Sequence, residues 1–286
     1  AIKINPKFAE AYNNLGNIYK AIKQFYMAIM YYRKALRIDK NVAGIHNNLG
    51  HTFTLIGDRR NLIHHRIASS LEPHNMELYS PILFNSNYSP NMSAEEIFEY
   101  YKQFDQRFGL PHKVKWKAFA QPKVQKNKLK IGYVSPDLRD HTMEPFLSCI
   151  LSHHNRDKFE IFAFAELENE DMVSQEYKSC VDHWIRTNEM KDDELVQKIR
   201  DMGIDILVDL AGHTRNNRLT VFAQKPAPVS LSWWIGSGYT TGLSAINYFL
   251  TSKFMAPNGS EHLFSEKLWT LDNDASVWDP GKNNLG

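Results

Sequence analysis

From Leu129 onward the chain alternates short apolar runs with stretches of helical spacing. The runs predict strands at Leu129–Val134, Phe159–Phe164, His183–Arg186, Ile204–Leu210 and Val229–Ile235, with a sixth at Tyr248–Thr251. Helical spacing fits Pro145–Ser152, Met172–Cys180, Asp192–Met202 and Asn217–Ala223 between them. Strand and helix in alternation imply parallel crossover units and a doubly wound sheet. In such a sheet the loops leaving the C-terminal ends of the strands gather at one edge, where ligands bind. Here they are Ser135–Thr142, Gly212–Arg215 and Gly236–Gly242. The last two close a pair of buried-looking strands inside one stretch, Gly203–Ser252, and the rest of the chain reads as scaffold for that edge.

The first ninety residues follow a different rule. Tyr12 and His46, Leu15 and Leu49, Gly16 and Gly50, and Tyr19 and Phe53 all stand 34 positions apart, and Asn13-Asn14-Leu15-Gly16 returns as Asn47-Asn48-Leu49-Gly50. That period and pattern are the signature of the tetratricopeptide repeat, a pair of packed helices. Leu15 and Tyr19 share a helix face, while Gly16, Ala28 and Ala35 are small so that the helices can approach closely. Pro6 and Pro73 close the neighbouring repeats. The second repeat is degraded, with Leu62 at the position of Ala28 and an ending one residue early. The repeated aromatics pack the repeats, and Asn13, Asn14, Asn47 and Asn48 are placed to bond an extended peptide on the concave surface.

Between the two regimes, Met76–Phe84 predicts one more helix. A further helix starts at Ser93 with Glu96 three positions on, a capping box. Its apolar face is Ile97, Tyr101, Phe104 and Phe108, and Gly109-Leu110-Pro111 ends it. Six lysines between Lys113 and Lys128 make a basic linker, with phosphate binding as the alternative. The expected division is residues 1–84 repeats, 85–128 bridge and linker, and 129–286 the α/β lobe with its tail.

Charge and composition narrow the function. With 34 basic against 32 acidic residues there is no basic field, so nucleic acid is not the expected partner. Two cysteines, Cys149 and Cys180, fit a reducing compartment. No apolar run reaches the roughly 18 residues of a membrane span, and no signal peptide opens the chain, so a cytoplasmic setting (nuclear as well in a eukaryote) and no membrane partner are expected. Metal chemistry finds little support. Asp272-Asn273-Asp274 has the form of a metal–diphosphate motif but sits among turn residues, and the adjacent pairs His64-His65 and His153-His154 point to different helix faces. Gly236-x-Gly238-x-x-x-Gly242 lacks the dinucleotide spacing. His141 and His213 are the histidines that fall in strand-end loops, either as site residues or as caps, and Asp137 and Asp140 are turn residues or caps on the same footing.

The runs IGYVSPDLRDHTMEPFL, FEIFAFAE and ILVDLAGHTRNNRLTVFAQKPAPVSLSWWIGSGYTTGLSAINYFLTS, placed after tetratricopeptide repeats, resemble the O-linked N-acetylglucosamine transferase family, glycosyltransferase family 41, and most of all its bacterial-type members. The resemblance covers nearly the whole chain. It implies an α + α/β fold: helical repeats, then the first of two Rossmann-like lobes. It implies an inverting protein O-glycosyltransferase that moves N-acetylglucosamine from UDP-N-acetylglucosamine to Ser or Thr hydroxyls, with no cofactor and no metal. Acceptor proteins would be the partners, fed in by the repeats.

On the same resemblance, His141 matches a histidine that acts as the base or orients the reacting groups. His213, Thr214 and Arg215 match a second loop on the substrate cleft, and Gly236, Thr240, Thr241 and Gly242 belong to a third. Thr142 and Ser237-Gly238-Tyr239 depart from the pattern, which carries proline after the histidine and in the third loop. The family's diphosphate-binding lysine lies in the second lobe, which this chain does not reach before Gly286, so the chain is expected to be inactive alone. The alternatives are a repeat-based binding scaffold with a degenerate lobe, or a relative using another nucleotide sugar.

Overall fold

The structure is a computed structural model, and it describes residues 5–119, 127–233 and 239–272. The chain forms two compact units, Ala1–Ser93 and Ala94–Gly286.

The first unit is helical: α1 (Ala9–Ala21), α2 (Phe25–Ile38), α3 (Ala43–Leu55), α4 (Arg60–Leu71) and α5 (Met76–Ser86). Its main core joins Ala28, Ile29, Tyr32 and Ala35 of α2 to Ile45, Leu49 and Phe53 of α3. The two repeated glycines each leave room for a ring of the following helix. A methyl group on Gly16 would enter the Tyr32 ring, and one on Gly50 would lie 2.7 Å from the His65 ring. The contact falls one residue sooner after Gly50 than after Gly16, in keeping with the early ending of the second repeat. Among the repeated asparagines, Asn48 Nδ2 donates to Asn13 Oδ1 at 3.1 Å, whereas Asn47 Oδ1 lies 3.1 Å from a His65 ring nitrogen.

The second unit opens with α6 (Ala94–Phe104), which runs on through a π-helical turn at Asp105–Gly109 and a 3₁₀ turn at Leu110–Lys115. The helix assigned above to the bridge therefore belongs to the α/β unit. Seven parallel strands follow: β1 (Leu129–Ser135), β2 (Phe159–Ala165), β3 (His183–Arg186), β4 (Ile206–Asp209), β5 (Val229–Trp233), β6 (Tyr248–Ser252) and β7 (Lys267–Leu271). Among the described residues four α-helices lie between them, α7 (Glu144–Ser152), α8 (Met172–Ser179), α9 (Asp192–Met202) and α10 (Leu219–Ala223), with a 3₁₀ turn at Glu261–Leu263 before β7. The strand order is β3-β2-β1-β4-β5-β6-β7, so the winding reverses between β1 and β4. One face of the sheet presents Ile131, Tyr133, Ile161, Ala163 and Val208 to Leu147 and Leu151 of α7 and Tyr177 of α8. Full burial of a side chain such as Leu147 contributes about 1.5–3 kcal/mol.

Several boundaries move for local reasons. β4 starts at Ile206 rather than Ile204, because Asp205 turns its carboxylate onto the Lys130 N–H at 2.9 Å. α10 starts at Leu219, since Arg218 before it has a non-helical backbone (φ −119°, ψ 37°) and the Asn217 side chain accepts from Leu219 N at 3.2 Å. β7 was not expected at all. β5 ends at Trp233, and the rest of the expected run, Trp234 and Ile235, lies outside the described residues.

Candidate active site

Loops from β1, β2 and β4 surround a cleft of about 630 Å³ over the C-terminal edge of the sheet, at the point where the winding reverses. Strand pairing sets the frame, because Ser135 at the end of β1 serves both its own loop and the next one. Its Oγ accepts from Asp137 N at 3.0 Å, and its carbonyl accepts from Glu166 N at 3.0 Å. The β1 loop then turns so that Asp137 and His141 face each other, with His141 Nε2 3.5 Å from Asp137 Oδ1. Asp137 is buried, and burial pushes its carboxyl pKa up, against the opposing pull of His141 and Arg139. About a third of the His141 side chain (32%) is exposed, yet its Nδ1 is enclosed and without a hydrogen-bond partner. The His141 carbonyl accepts from Glu144 N at 2.9 Å, which joins the loop to the start of α7.

The β2 loop supplies most of the charge, with Glu166, Glu168, Glu170 and Asp171 all lining the cleft. Three of these four are committed. Glu166 accepts from Arg218 Nε at 2.8 Å and from Thr187 Oγ1 at 2.7 Å. Arg218 in turn donates to Asp192 and to the carbonyls of Thr187 and Met190. Glu170 pairs with Lys178 and accepts from Trp184 Nε1 at 2.8 Å. Asp171 caps α8 through Ser174 N at 2.8 Å, and its other oxygen accepts from Asp140 N at 2.8 Å, tying the β2 loop to the β1 loop. With Asp137 that makes five carboxyl groups on the cleft, against Arg139 and Arg215. No lysine is among these lining residues.

The residues expected to touch substrate part into two groups. Thr214 and Arg215 line the cleft with His141. The Thr214 hydroxyl is spent on its own turn, donating to Ala211 O at 2.8 Å. Four others, His213, Thr240, Thr241 and Gly242, lie buried in the packing beneath the loops. None of these four is among the residues that line the cleft. His213 Nε2 donates to Thr241 O at 2.7 Å, and its ring meets Phe104 and Tyr101 of α6 edge-on, at 4.6 and 5.4 Å between centroids. Burial holds its pKa down at about 4, so the ring is neutral. The two threonine hydroxyls and the Thr241 N–H all donate to the buried Glu266, at 2.5 Å from Thr240 and 2.8 Å from the amide. Gly242 has φ 80°, and a methyl group there would lie 2.7 Å from Tyr101 O. Gly236 lies outside the described residues.

Sequence reasoning missed the buried carboxyls. Asp209, at the end of β4, accepts from the N–H groups of Ala211 and Gly212 and from Ser232 Oγ at 2.7 Å, so it shapes the second loop from below. Glu266 does the same for the third. In both, burial raises the pKa and the donated hydrogen bonds oppose that rise. A polar residue at a strand end is an ordinary strand terminator, so nothing in the sequence pattern singles out either one. Among the described residues no group of three or more His, Cys, Asp or Glu side chains could hold a metal ion, and no helix is long and apolar enough to cross a membrane.

Comparison with known proteins bears on this geometry. Residues 9–42 match the tetratricopeptide repeat, and residues 51–280 match glycosyl transferase family 41. An Arabidopsis thaliana protein named probable UDP-N-acetylglucosamine–peptide N-acetylglucosaminyltransferase SEC is 32% identical over 186 residues, 62% of this chain and 18% of that protein. A Solanum lycopersicum protein with the same enzyme name and the designation SPINDLY is 28% identical over 202 residues, 69% of this chain and 22% of that protein. The chain thus spans about a fifth of the length of these relatives. The solved structure of a Thermobaculum terrenum O-GlcNAc transferase mutant, K341M, superposes with a TM-score of 0.88 at 28% identity, over 96% of this chain and 52% of that one. A family match across most of the chain, on a fold of repeats followed by a parallel seven-stranded sheet, makes this chain a member of glycosyl transferase family 41.

Proposed function

We propose that this chain is part of a protein O-glycosyltransferase that moves N-acetylglucosamine from UDP-N-acetylglucosamine to Ser or Thr hydroxyls, and that its α/β unit receives the acceptor hydroxyl. The observation that carries this reading is His141 beside Asp137 in the cleft at the winding reversal. In the reaction the hydroxyl oxygen forms a bond to the anomeric carbon as the bond from that carbon to the diphosphate breaks. The electron pair of the broken bond leaves with UDP, and the hydroxyl proton passes to a ring nitrogen of His141. The names carried by the relatives support this donor and this acceptor class.

Five carboxyl groups suit the cleft to a neutral hydroxyl and a mobile proton better than to a diphosphate, whose charge needs cations or helix N-termini. The diphosphate is therefore assigned to parts of the enzyme other than these lining residues. The repeat unit would bind the acceptor protein, with the linked pair Asn13 and Asn48 as backbone-bonding groups.

The test is sugar transfer by the complete natural protein, with radiolabelled UDP-N-acetylglucosamine and, in parallel, other UDP- and GDP-sugars. His141→Ala should lower transfer by about a hundredfold or more, the range of a general base. Full activity in that variant would refute the role given to His141. A complete protein that transfers none of the sugars yet binds peptides through its repeats would instead be a scaffold.

A further inference from the structure

We infer that Asp137 is the positioning residue that makes His141 able to take the acceptor proton, an inference that rests on the function proposed above. The two side chains are four residues apart on one tight loop, Oδ1 to Nε2 at 3.5 Å. Because Nδ1 is enclosed, the exposed third of the ring does not include it, and Nε2 is the nitrogen a substrate hydroxyl can reach. A neutral ring protonated on Nδ1 leaves the Nε2 lone pair for the hydroxyl, and at 3.5 Å the Asp137 carboxylate lies near that nitrogen without being its hydrogen-bond partner. Once the hydroxyl proton arrives on Nε2, the same contact becomes imidazolium against carboxylate. The interaction is thus stronger after proton transfer than before it, which is the condition for accelerating a step rather than merely binding.

Other charges face the ring, and they do not replace Asp137. Arg139 and Asp140 share its loop, Glu166, Glu168, Glu170 and Asp171 come from the β2 loop, and Arg215 from the β4 loop. Glu166 and Glu170 are matched by Arg218 and Lys178, and Asp171 is held by the α8 cap and the Asp140 amide. Glu168 is exposed, where water and salt screen it. Asp137 is buried, held in place by the hydrogen bond its backbone N–H donates to Ser135 Oγ, and pairs with His141.

The experiment uses the complete natural protein and the pH profiles of kcat and KM for sugar transfer. Asp137→Asn keeps the shape and removes the charge. It should lower kcat by about ten- to a hundredfold while KM changes by less than about twofold. It should also move the acidic limb of the kcat profile to lower pH, because the imidazolium loses its partner. Asp137→Glu keeps the charge and should hold the limb at its wild-type position, even if kcat falls. A limb that stays in place in Asp137→Asn, or one that moves equally in both variants, overturns the inference. Should Asp137→Asn not fold, the Asp137→Glu profile decides on its own, since a displaced limb there is incompatible with the inference. His141→Ala separates the two layers. If it is fully active, the functional reading falls. If it is inactive while Asp137→Asn matches wild type, only the role of Asp137 falls.

Discussion

Replacing His213 with Gln tests whether that ring is a neutral strut. Its pKa is held at about 4 by burial, below the ordinary 6.5. The unfolded chain therefore takes up a proton at a higher pH than the fold does. The contribution of His213 is full above about pH 6.5 and drains away as the pH falls toward 4. A depression from 6.5 to about 4, at about 1.4 kcal/mol per unit, sets the full swing near 3 kcal/mol. Gln can still donate to the Thr241 carbonyl but does not titrate in this range.

Urea unfolding followed by tryptophan fluorescence is the assay, because all six tryptophans lie after residue 93 and report the α/β unit alone. Asp105, Asp137, Asp209 and Glu266 have raised pKa values and push stability the other way on acidification. They are common to both proteins and cancel in the difference. Between pH 7.5 and 4.5 the wild type should lose about 2–3 kcal/mol relative to His213→Gln. Parallel curves would refute the reasoning, since they would mean that the ring gains its proton in the fold as easily as in the unfolded chain.

Two further outcomes follow from the packing. Gly242→Ala combines a left-handed backbone with a methyl group 2.7 Å from Tyr101 O, and should cost about 1–3 kcal/mol in the same unfolding assay. Arg218→Ala leaves Glu166 and Asp192 without their shared cation and should cost about 3–5 kcal/mol, read as a fall in the urea midpoint at pH 7.

What the sequence made legible follows from how far each signal reaches. The 34-residue repeat and six of the strands are carried by local apolar spacing, which was enough to place them. β7 escaped because it flanks only β6 and keeps Lys267 and Trp269 exposed, so it lacks the apolar run of an inner strand. The apolar face of α6 was visible as Tyr101 and Phe104, but its partner His213 is more than a hundred residues away and carried no mark of burial. The cleft shows the same limit. His141 and Asp137 were both in view as loop residues, yet only the turn at Ser135 brings them face to face. Likewise nothing in the loop of Thr240 and Thr241 shows that their hydroxyls donate to Glu266.

The carboxyl groups of Asp209 and Glu266 sit where dissolved ions cannot reach, while Arg139, Arg215 and Glu168 stand in water at the rim of the cleft. Mobile ions weaken exposed charges over a distance of about 8–10 Å at moderate ionic strength and leave enclosed ones almost untouched. Raising the salt concentration will therefore act on whatever approaches the cleft and leave the loops that shape it unchanged. Ionic strength becomes a tool that separates capture from architecture in this enzyme family member, with no residue altered.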